Sequence, residues 1–517
     1  MYGDLFNDVL GPIMTGPSSS ATSGITRFAR LARGICGEPI KRATIYMNPD
    51  SALYLCLQGL NSDKAFASGL MGWEPEDPRT FDALDIARET GMEIVFTTID
   101  ENFEHFNAGY IKCEGISGRK VTVRGASIGG GSVHVDRIDD LDVDITGGKY
   151  ELLVCGSPEA FQRVSALVCA QPSAQNGAQA LYSLVTPPDL EELRSIPGVI
   201  RAITAEPVLP TVINEDVVPP FTTATGLTEW LKEHPMSLSE AMLVYQQALS
   251  GWERERILDR LSHIVDVMND SWRAGLESDG RGFTFLKPRA AQVEALRASG
   301  KFLPTGILDL ATVAATSVME NNCSMKIVVA APTAGSAGVI PGVIAALEQV
   351  PGITREDILR GMLAAGFIGV AIFNQATFGA FAAGCAVEVA SGSAMAAAMA
   401  AEAMGCEPDV CLRAAGLAIQ NLIGLACDHI AAGVEVPCIS RNPMASANAI
   451  VCANLAMGGF DPYIPLDETI SAMYEAGKFT VNQVHKCGIY GRFGLAGTKS
   501  GIEIRRRIDE DRKRHRN

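Results

Sequence analysis

Positive charge is in short supply in this chain. Lys and Arg total 43 against 59 Asp and Glu, a net charge of −16, and the sequence pI is about 5.0. Such a balance argues against nucleic acid or an anionic membrane as the main partner. The first residues, Met1-Tyr2-Gly3-Asp4, carry no basic stretch followed by an apolar one, so no secretory leader is read and a cytoplasmic location is expected. The thirteen cysteines are odd in number and irregularly spaced, as expected for reduced thiols rather than a disulfide framework. No repeat of solenoid period and no convincing pyridoxal-lysine motif are found. Charge is also absent from 362–387, a run long enough to span a bilayer. It lacks flanking basic clusters and holds Gly366, Gly369, Asn374, Gln375, Thr377 and Gly379, so it reads as helix buried in a protein core. With 47% hydrophobic and 20% charged residues over 517 positions, a globular chain of two to four domains is expected.

What is present centres on Cys427-Asp428-His429-Ile430-Ala431-Ala432-Gly433-Val434-Glu435-Val436-Pro437-Cys438, followed two residues later by Arg441-Asn442. The ten intervening residues are too many for a CxxC redox or zinc pair. They suit a loop that folds back and turns two thiolates toward one soft metal. A third thiol is offered upstream in Gly384-Cys385-Ala386-Val387-Glu388. Three thiolates point to a [4Fe–4S] cluster with one iron open, able to act as a Lewis acid on a substrate oxygen. The spacing alone is equally compatible with buried free cysteines, which are common in cores.

These stretches resemble the signature of the iron–sulfur-dependent L-serine dehydratases, in the single-chain form that fuses beta-like and alpha-like domains. In that family a loop that opens Cys-Asp and closes Val-x-x-Pro-Cys, followed by Arg-Asn, carries two cluster ligands, and a Gly-Cys-x-x-Glu segment carries the third. The resemblance implies Cys385, Cys427 and Cys438 as ligands of a [4Fe–4S] cluster. Two further stretches match: Val329-Ala-Ala-Pro332-Thr333-Ala-Gly335-Ser336-Ala-Gly338-Val-Ile-Pro341, and Gly16-Pro17-Ser18-Ser19-Ser20-Ala21-Thr22. From them Ser18, Ser19, Ser20, Thr22, Thr333 and Ser336 are expected to hold the substrate carboxylate. Arg441 and Asn442 are expected to hydrogen-bond cluster sulfides or that carboxylate, and an ordinary ion pair is the plain alternative for Arg441.

Three departures stand out. His429 replaces the usual proline of the ligand loop. Ala21 stands where the family usually carries histidine, and Leu60, in Gly59-Leu60-Asn61-Ser62-Asp63, stands where a Gly-His-Gly-Thr-Asp segment is usual. Imidazoles are natural acid–base groups near neutral pH, so their loss puts serine turnover in question. His429 is the candidate to supply proton transfer in their place, with a neutral hydrogen-bonding role as the alternative. His485, beside Cys487, is a weaker candidate.

The expected fold class is α+β, with an N-terminal α/β domain, a small ACT-like βαββαβ module and a mostly α-helical C-terminal domain. Residues 1–150 form the beta-like domain, with strands at 42–47, 93–98, 120–124 and 132–136 and a helix at 80–90. Ser18–Ser20 are read as capping a helix over 22–34. Residues 151–209 read as a compact βαββαβ unit whose ending resembles ACT domains, modules that often bind amino acids; a structural spacer is the other reading. A linker, 210–226, leads to the alpha-like catalytic domain, 227–517, opened by a capping box at Ser237 and Glu240. The charged tail from Arg505 reads as a solvated helix end.

The resemblance implies a lyase that eliminates water, or a similar group, and ammonia from a small 3-substituted amino acid, L-serine by default. A member acting on another amino or hydroxy acid (threonine, cysteine or a larger analogue) is the alternative within the class. A non-catalytic amino-acid sensor that has lost its histidines is the alternative outside it. The expected partners are a small amino-acid or hydroxy-acid substrate and further copies of the chain, as a homo-oligomer of two or more.

Overall fold

The computed structural model describes residues 2–213, 217–486 and 493–514. The chain divides into two compact units, one of residues 20–213 and one that joins residues 1–19 to residues 214–517. The fold is α+β. Strand β1 (Ile13–Thr15) belongs to the second unit; the strands between residues 40 and 205 belong to the first.

In the first unit a six-stranded sheet is built from β2 (Ile40–Met47), β3 (Glu93–Thr98), β4 (Ala108–Gly115), β5 (Lys120–Gly129), β6 (Ser132–Ile138) and β7 (Leu141–Ile145), in the order β3-β2-β4-β5-β6-β7. Only β2 and β3 run parallel. The four expected strands all form. The added strand β4 alternates in burial, with Ile111 and Cys113 inward. The helix Gly24–Cys36 lies on this sheet because Ile25, Phe28, Ala29, Leu31, Ala32 and Ile35 recur at helical spacing and enter one core. The helix expected at 80–90 begins as a 3-10 turn, Pro78–Asp82, capped by Asp77, and becomes α-helical over Ala83–Glu89.

The serine-capping expectation is corrected for Ser19 and Ser20: they lie inside a π-helical turn, Ser19–Ser23, that runs into the helix Gly24–Cys36, rather than ahead of a helix starting at Thr22. Bonds from two hydroxyls help to hold the segment: Thr22 Oγ1 donates to the Leu60 carbonyl at 3.1 Å and Ser62 Oγ donates to the Ala21 carbonyl at 2.7 Å.

Strands β8 (Tyr150–Gly156), β9 (Ala174–Gln175), β10 (Gln179–Leu184) and β11 (Val199–Ala205), with helices Pro158–Val168 and Leu190–Ser195, give a βαββαβ element order in an antiparallel sheet ordered β11-β8-β10-β9. Ser157 and Asp189 cap the two helices through their side chains. The period of two along the strands makes this sheet two-sided. Leu152, Val154, Ala180, Tyr182 and Ala202 face its own helices, whereas Leu153, Leu181 and Ala205 enter the core of the larger sheet.

The second unit is helical. Its N-terminal residues are bound to the helix Leu238–Ser250: Tyr245 donates to the Gly3 carbonyl at 2.9 Å and Leu5 N–H donates to Gln246 Oε1 at 3.0 Å. β1 then pairs antiparallel with β12 (Ile327–Val329), Met14 opposite Val328. At the centre lies the helix Cys385–Ala403, buried along all its length except at Glu388. Its run of Ala, Gly and Ser lets the helices Arg355–Gln375, Pro408–Gln420 and Cys438–Met457 approach closely. The uncharged run 362–387 contributes to this packed interior, and among the described residues no helix is long and apolar enough to cross a membrane.

One capping expectation is half met. Ser237 accepts from the Glu240 N–H, but the Glu240 carboxylate turns to Arg254, with contacts of 2.6 and 2.7 Å. The charged tail expected to be solvated is a helix, Lys499–Arg514, and one face of it carries Ile504 and Ile508 onto the loop that holds Cys427 and Cys438.

Candidate metal centre

Cys385 opens the central helix, and Cys438 opens the helix Cys438–Met457. The intervening loop brings Cys427 to the same point. The thiols of Cys427 and Cys438 act on Cys385: together with Arg441, and against burial, they hold the Cys385 thiol far below its ordinary range. Cys385 and burial in turn push Cys427 and Cys438 up. None of the three forms a disulfide.

Gly384 explains why two of the thiols can meet. Its φ is +64°, a conformation that disfavours any residue with a side chain, and a Cβ there would lie 2.8 Å from Cys427 Cβ. Glu388 follows Cys385 by three positions and so shares its helix face. A Glu388 oxygen and the sulfurs of Cys385 and Cys427 all lie within 4.8 Å of one another. Burial, with the charge on Cys385 adding to it, pushes the Glu388 carboxyl up to about 8 against a hydrogen bond from Thr333. The Gly-Cys-x-x-Glu spacing carried this signal, yet Glu388 was not among the expected site residues.

Arg441 points back into the loop. It donates to the Ala426 carbonyl at 2.7 Å and pairs with Asp428 at 3.1 Å, while its charge also acts on Cys385. The ordinary ion pair raised as the plain alternative is thus present. His429 is half-buried, and the loss of solvent around its ring lowers its pKa and favours the neutral form; its Nδ1 lies 3.5 Å from Cys427 Sγ. Cys487 lies outside the described residues, as does the side chain of His485.

Asparagines join the other motifs to this loop. Asn442 Oδ1 accepts from Gly338 N–H at 2.9 Å, and its Nδ2 donates to the carbonyls of Gly335 and Cys438, both at 2.9 Å. Asn322 Nδ2 donates to the Pro17 carbonyl at 3.0 Å and to the Ala334 carbonyl at 3.2 Å. Gly16-Pro17, the Thr333–Ser336 turn and the ligand loop are therefore neighbours within one unit. Within the turn, Thr333 and Ser336 hydroxyls lie 3.3 Å apart and Ser336 also donates to the carbonyls of Ala331 and Thr333. Ser18 and Ser19 belong to this unit, and Ser20 and Thr22 to the other. Neither asparagine bridge has a local sequence signal, because each joins segments far apart in the chain; Asn322 was not singled out, and Asn442 was singled out for another role.

Two further carboxylates shape the loop. Glu435, 4% exposed, accepts from the N–H groups of Thr284, Phe285 and Leu286 and from the Thr284 hydroxyl, at 2.5–3.2 Å. Asp428 accepts from Leu495 N–H at 2.9 Å besides pairing with Arg441.

Three thiols, an adjacent carboxylate and the Arg441 guanidinium give a largely buried site suited to a soft metal. Sequence comparison gives the family. The sequence model described as serine dehydratase alpha chain matches residues 233–488. A probable L-serine dehydratase alpha chain from Bacillus subtilis (strain 168) is 34% identical over 288 residues, 56% of this chain and 95% of that one. The L-serine dehydratase alpha chain of Peptoniphilus asaccharolyticus is 35% identical over 285 residues, covering 55% and 97%. L-serine dehydratase 1 of Escherichia coli (strain K12) is 33% identical over 273 residues, covering 51% and 60%. The chain belongs to the serine dehydratase alpha-chain family.

Proposed function

We propose that this protein is an iron–sulfur-dependent ammonia-lyase of the L-serine dehydratase type. It acts in the cytoplasm and removes a β-substituent and ammonia from a small 3-substituted amino acid. The observation that carries the reading is the meeting of Cys385, Cys427 and Glu388, whose ligand atoms lie within 4.8 Å of one another, with the Cys438 thiol acting on the same Cys385 sulfur. Three soft donors meeting at one buried point fit a [4Fe–4S] cluster held by three cysteines. When bound, the cluster supplies a Lewis acid at its open iron for the departing hydroxyl.

The chain's own groups do the rest. Of the hydroxyls expected to hold the substrate carboxylate, Ser18, Ser19 and Thr333 share one unit with the thiols and are the proposed holders. Arg441 keeps a positive charge beside the sulfurs and braces the loop through Asp428. Asn442 keeps the Thr333–Ser336 turn against the helix of Cys438. His429, kept neutral by burial, is the proposed proton acceptor. The overall change is loss of the α-proton and the β-hydroxyl as water; the enamine left behind tautomerises and hydrolyses to a 2-keto acid and ammonia. In this reading residues 1–150 are beta-like, 151–209 an ACT-like module and 227–517 the alpha-like catalytic part.

A second reading concerns the substrate. Ala21 and Leu60 lie in segments laced together by the Thr22 and Ser62 hydrogen bonds, and both side chains are buried. Two apolar groups there favour a substituent bulkier or more apolar than hydroxymethyl. The experiment is release of keto acid and ammonia across a panel of amino acids by protein purified without oxygen. Turnover of at least one β-substituted amino acid supports the lyase; none across the panel, with the cluster present, contradicts it.

A further inference from the structure

The charged C-terminal segment has no role in the reading above, yet it meets the ligand loop at two separate places. The first is polar. Asp428, the residue after Cys427, accepts a hydrogen bond from Leu495 N–H at 2.9 Å. Gly494 sits at φ +58° directly against the Asp428 side chain, where any Cβ would collide with the carboxylate. The second is apolar. Ile504 and Ile508, one helical turn apart, pack with Ile430, Ala431, Val436 and Phe285. Ile430 and Ala431 stand between Cys427 and Cys438, and Val436 is two residues before Cys438.

The rest of that helix is built to stay helical in water. Arg506 and Arg507 pair with Glu503 at 2.8 and 3.0 Å, and Arg505 with Asp509 at 3.8 Å. The sequence thus separates a charged face from a two-isoleucine face. Glu435 also binds residues 284–286 through four hydrogen bonds. A loop of ten residues between two ligands, with a 3-10 turn and little regular structure of its own, is thereby held by two other segments.

We infer that the segment Phe493–Ile508 is a structural part of the metal centre: Gly494 and Ile508 are positioning residues that hold the Cys427–Cys438 loop closed over its thiols. Asp428 receives this grip on one carboxylate oxygen and transmits it to Arg441 on the other. The inference rests on the reading of the three cysteines as ligands. Its test is made on metal-free protein, so the two can fail separately.

The experiment is timed alkylation of the reduced, metal-free full chain with iodoacetamide, followed by mass spectrometry of each cysteine peptide. Buried Cys452 and Cys36 report global opening in the same molecules. Ile508→Asp and Gly494→Ala are expected to raise the labelling rate of Cys427 and Cys438 about tenfold or more, relative to Cys452. Ile508→Leu and the solvent-face change Arg507→Gln are expected to leave the ratio unchanged. Ratios in Ile508→Asp and Gly494→Ala equal to the unchanged protein would overturn the inference. So would a rise in which Cys452 keeps pace in both variants, because the segment would then support the whole unit rather than the loop. A changed ratio with no metal bound by the unchanged protein would sustain this inference and remove the cluster reading alone.

Discussion

Asn442 and Gly338 are 104 residues apart, and the Asn442 Oδ1 accepts the Gly338 N–H at 2.9 Å. The same side chain donates to Gly335 and Cys438, so one amide joins the glycine-rich turn to the helix that begins with a thiol of the site. Its side chain is fully buried, so water cannot replace the lost bonds in a shortened variant. Asn442→Ala is expected to destabilise the fold by about 2–4 kcal/mol, since each buried group left unpaired costs about 1–3 kcal/mol. Denaturant unfolding of metal-free protein measures it; a loss within about 0.5 kcal/mol would show that these bonds are easily replaced.

Gly384 is the second point where a small change should act strongly. Gly384→Ala puts a side chain at a left-handed position and drives its Cβ into Cys427. About 1–2 kcal/mol is expected from the backbone alone, and displacement of Cys427 should weaken metal retention further. Iron content after gel filtration in the presence of a chelator is the readout. Retention equal to that of the unchanged protein would mean that the loop moves aside at no cost.

Glu435 tests a second hold on the loop. A carboxylate with four donors around it is poorly replaced by an amide, which must turn an N–H₂ group toward some of them. Glu435→Gln is expected to cost about 1–3 kcal/mol and to raise the rate of metal loss. Thermal melting with and without metal separates the two effects; an unchanged melting temperature would contradict the assigned role.

The substrate prediction rests on Ala21 and Leu60. Loss of a positioned acid or base typically costs about two to four orders of magnitude in rate. L-Serine is therefore expected to be a poor substrate, with a bulkier or more apolar β-substituted amino acid preferred. Steady-state kinetics on anaerobic, reconstituted enzyme decide this. A kcat/KM for L-serine of roughly 10⁴ M⁻¹s⁻¹ or more, with no analogue better, would contradict it.

The meeting of Cys385 and Cys427 was legible because its signals are local: a glycine before one thiol, and a loop of fixed length after the other that ends in Pro437-Cys438. The strands at 93–98 and 132–136 were legible for the same reason, their β-branched and alternating residues being continuous in sequence. The bridges made by Asn322 and Asn442 were not, because a buried amide is specified by partners that sequence alone does not bring together. The serine cluster misled in the opposite way. Its composition fits an N-cap, but Ser19 and Ser20 lie inside a π-helical turn, and bonds from Thr22 and Ser62 help to secure it. The charged tail was read by its composition, which describes only one face; Ile504 and Ile508 decide where the other face goes.

The most direct measurement is the iron and acid-labile sulfide content of protein purified without oxygen, for the unchanged chain and for single Cys→Ala variants. The account predicts a brown protein with about four irons per chain, the content of a [4Fe–4S] cluster. It predicts loss of iron when Cys385, Cys427 or Cys438 is replaced and retention when Cys36 or Cys452 is. Stoichiometric zinc without iron in the anaerobic protein, or iron that survives replacement of any of the three, would contradict it.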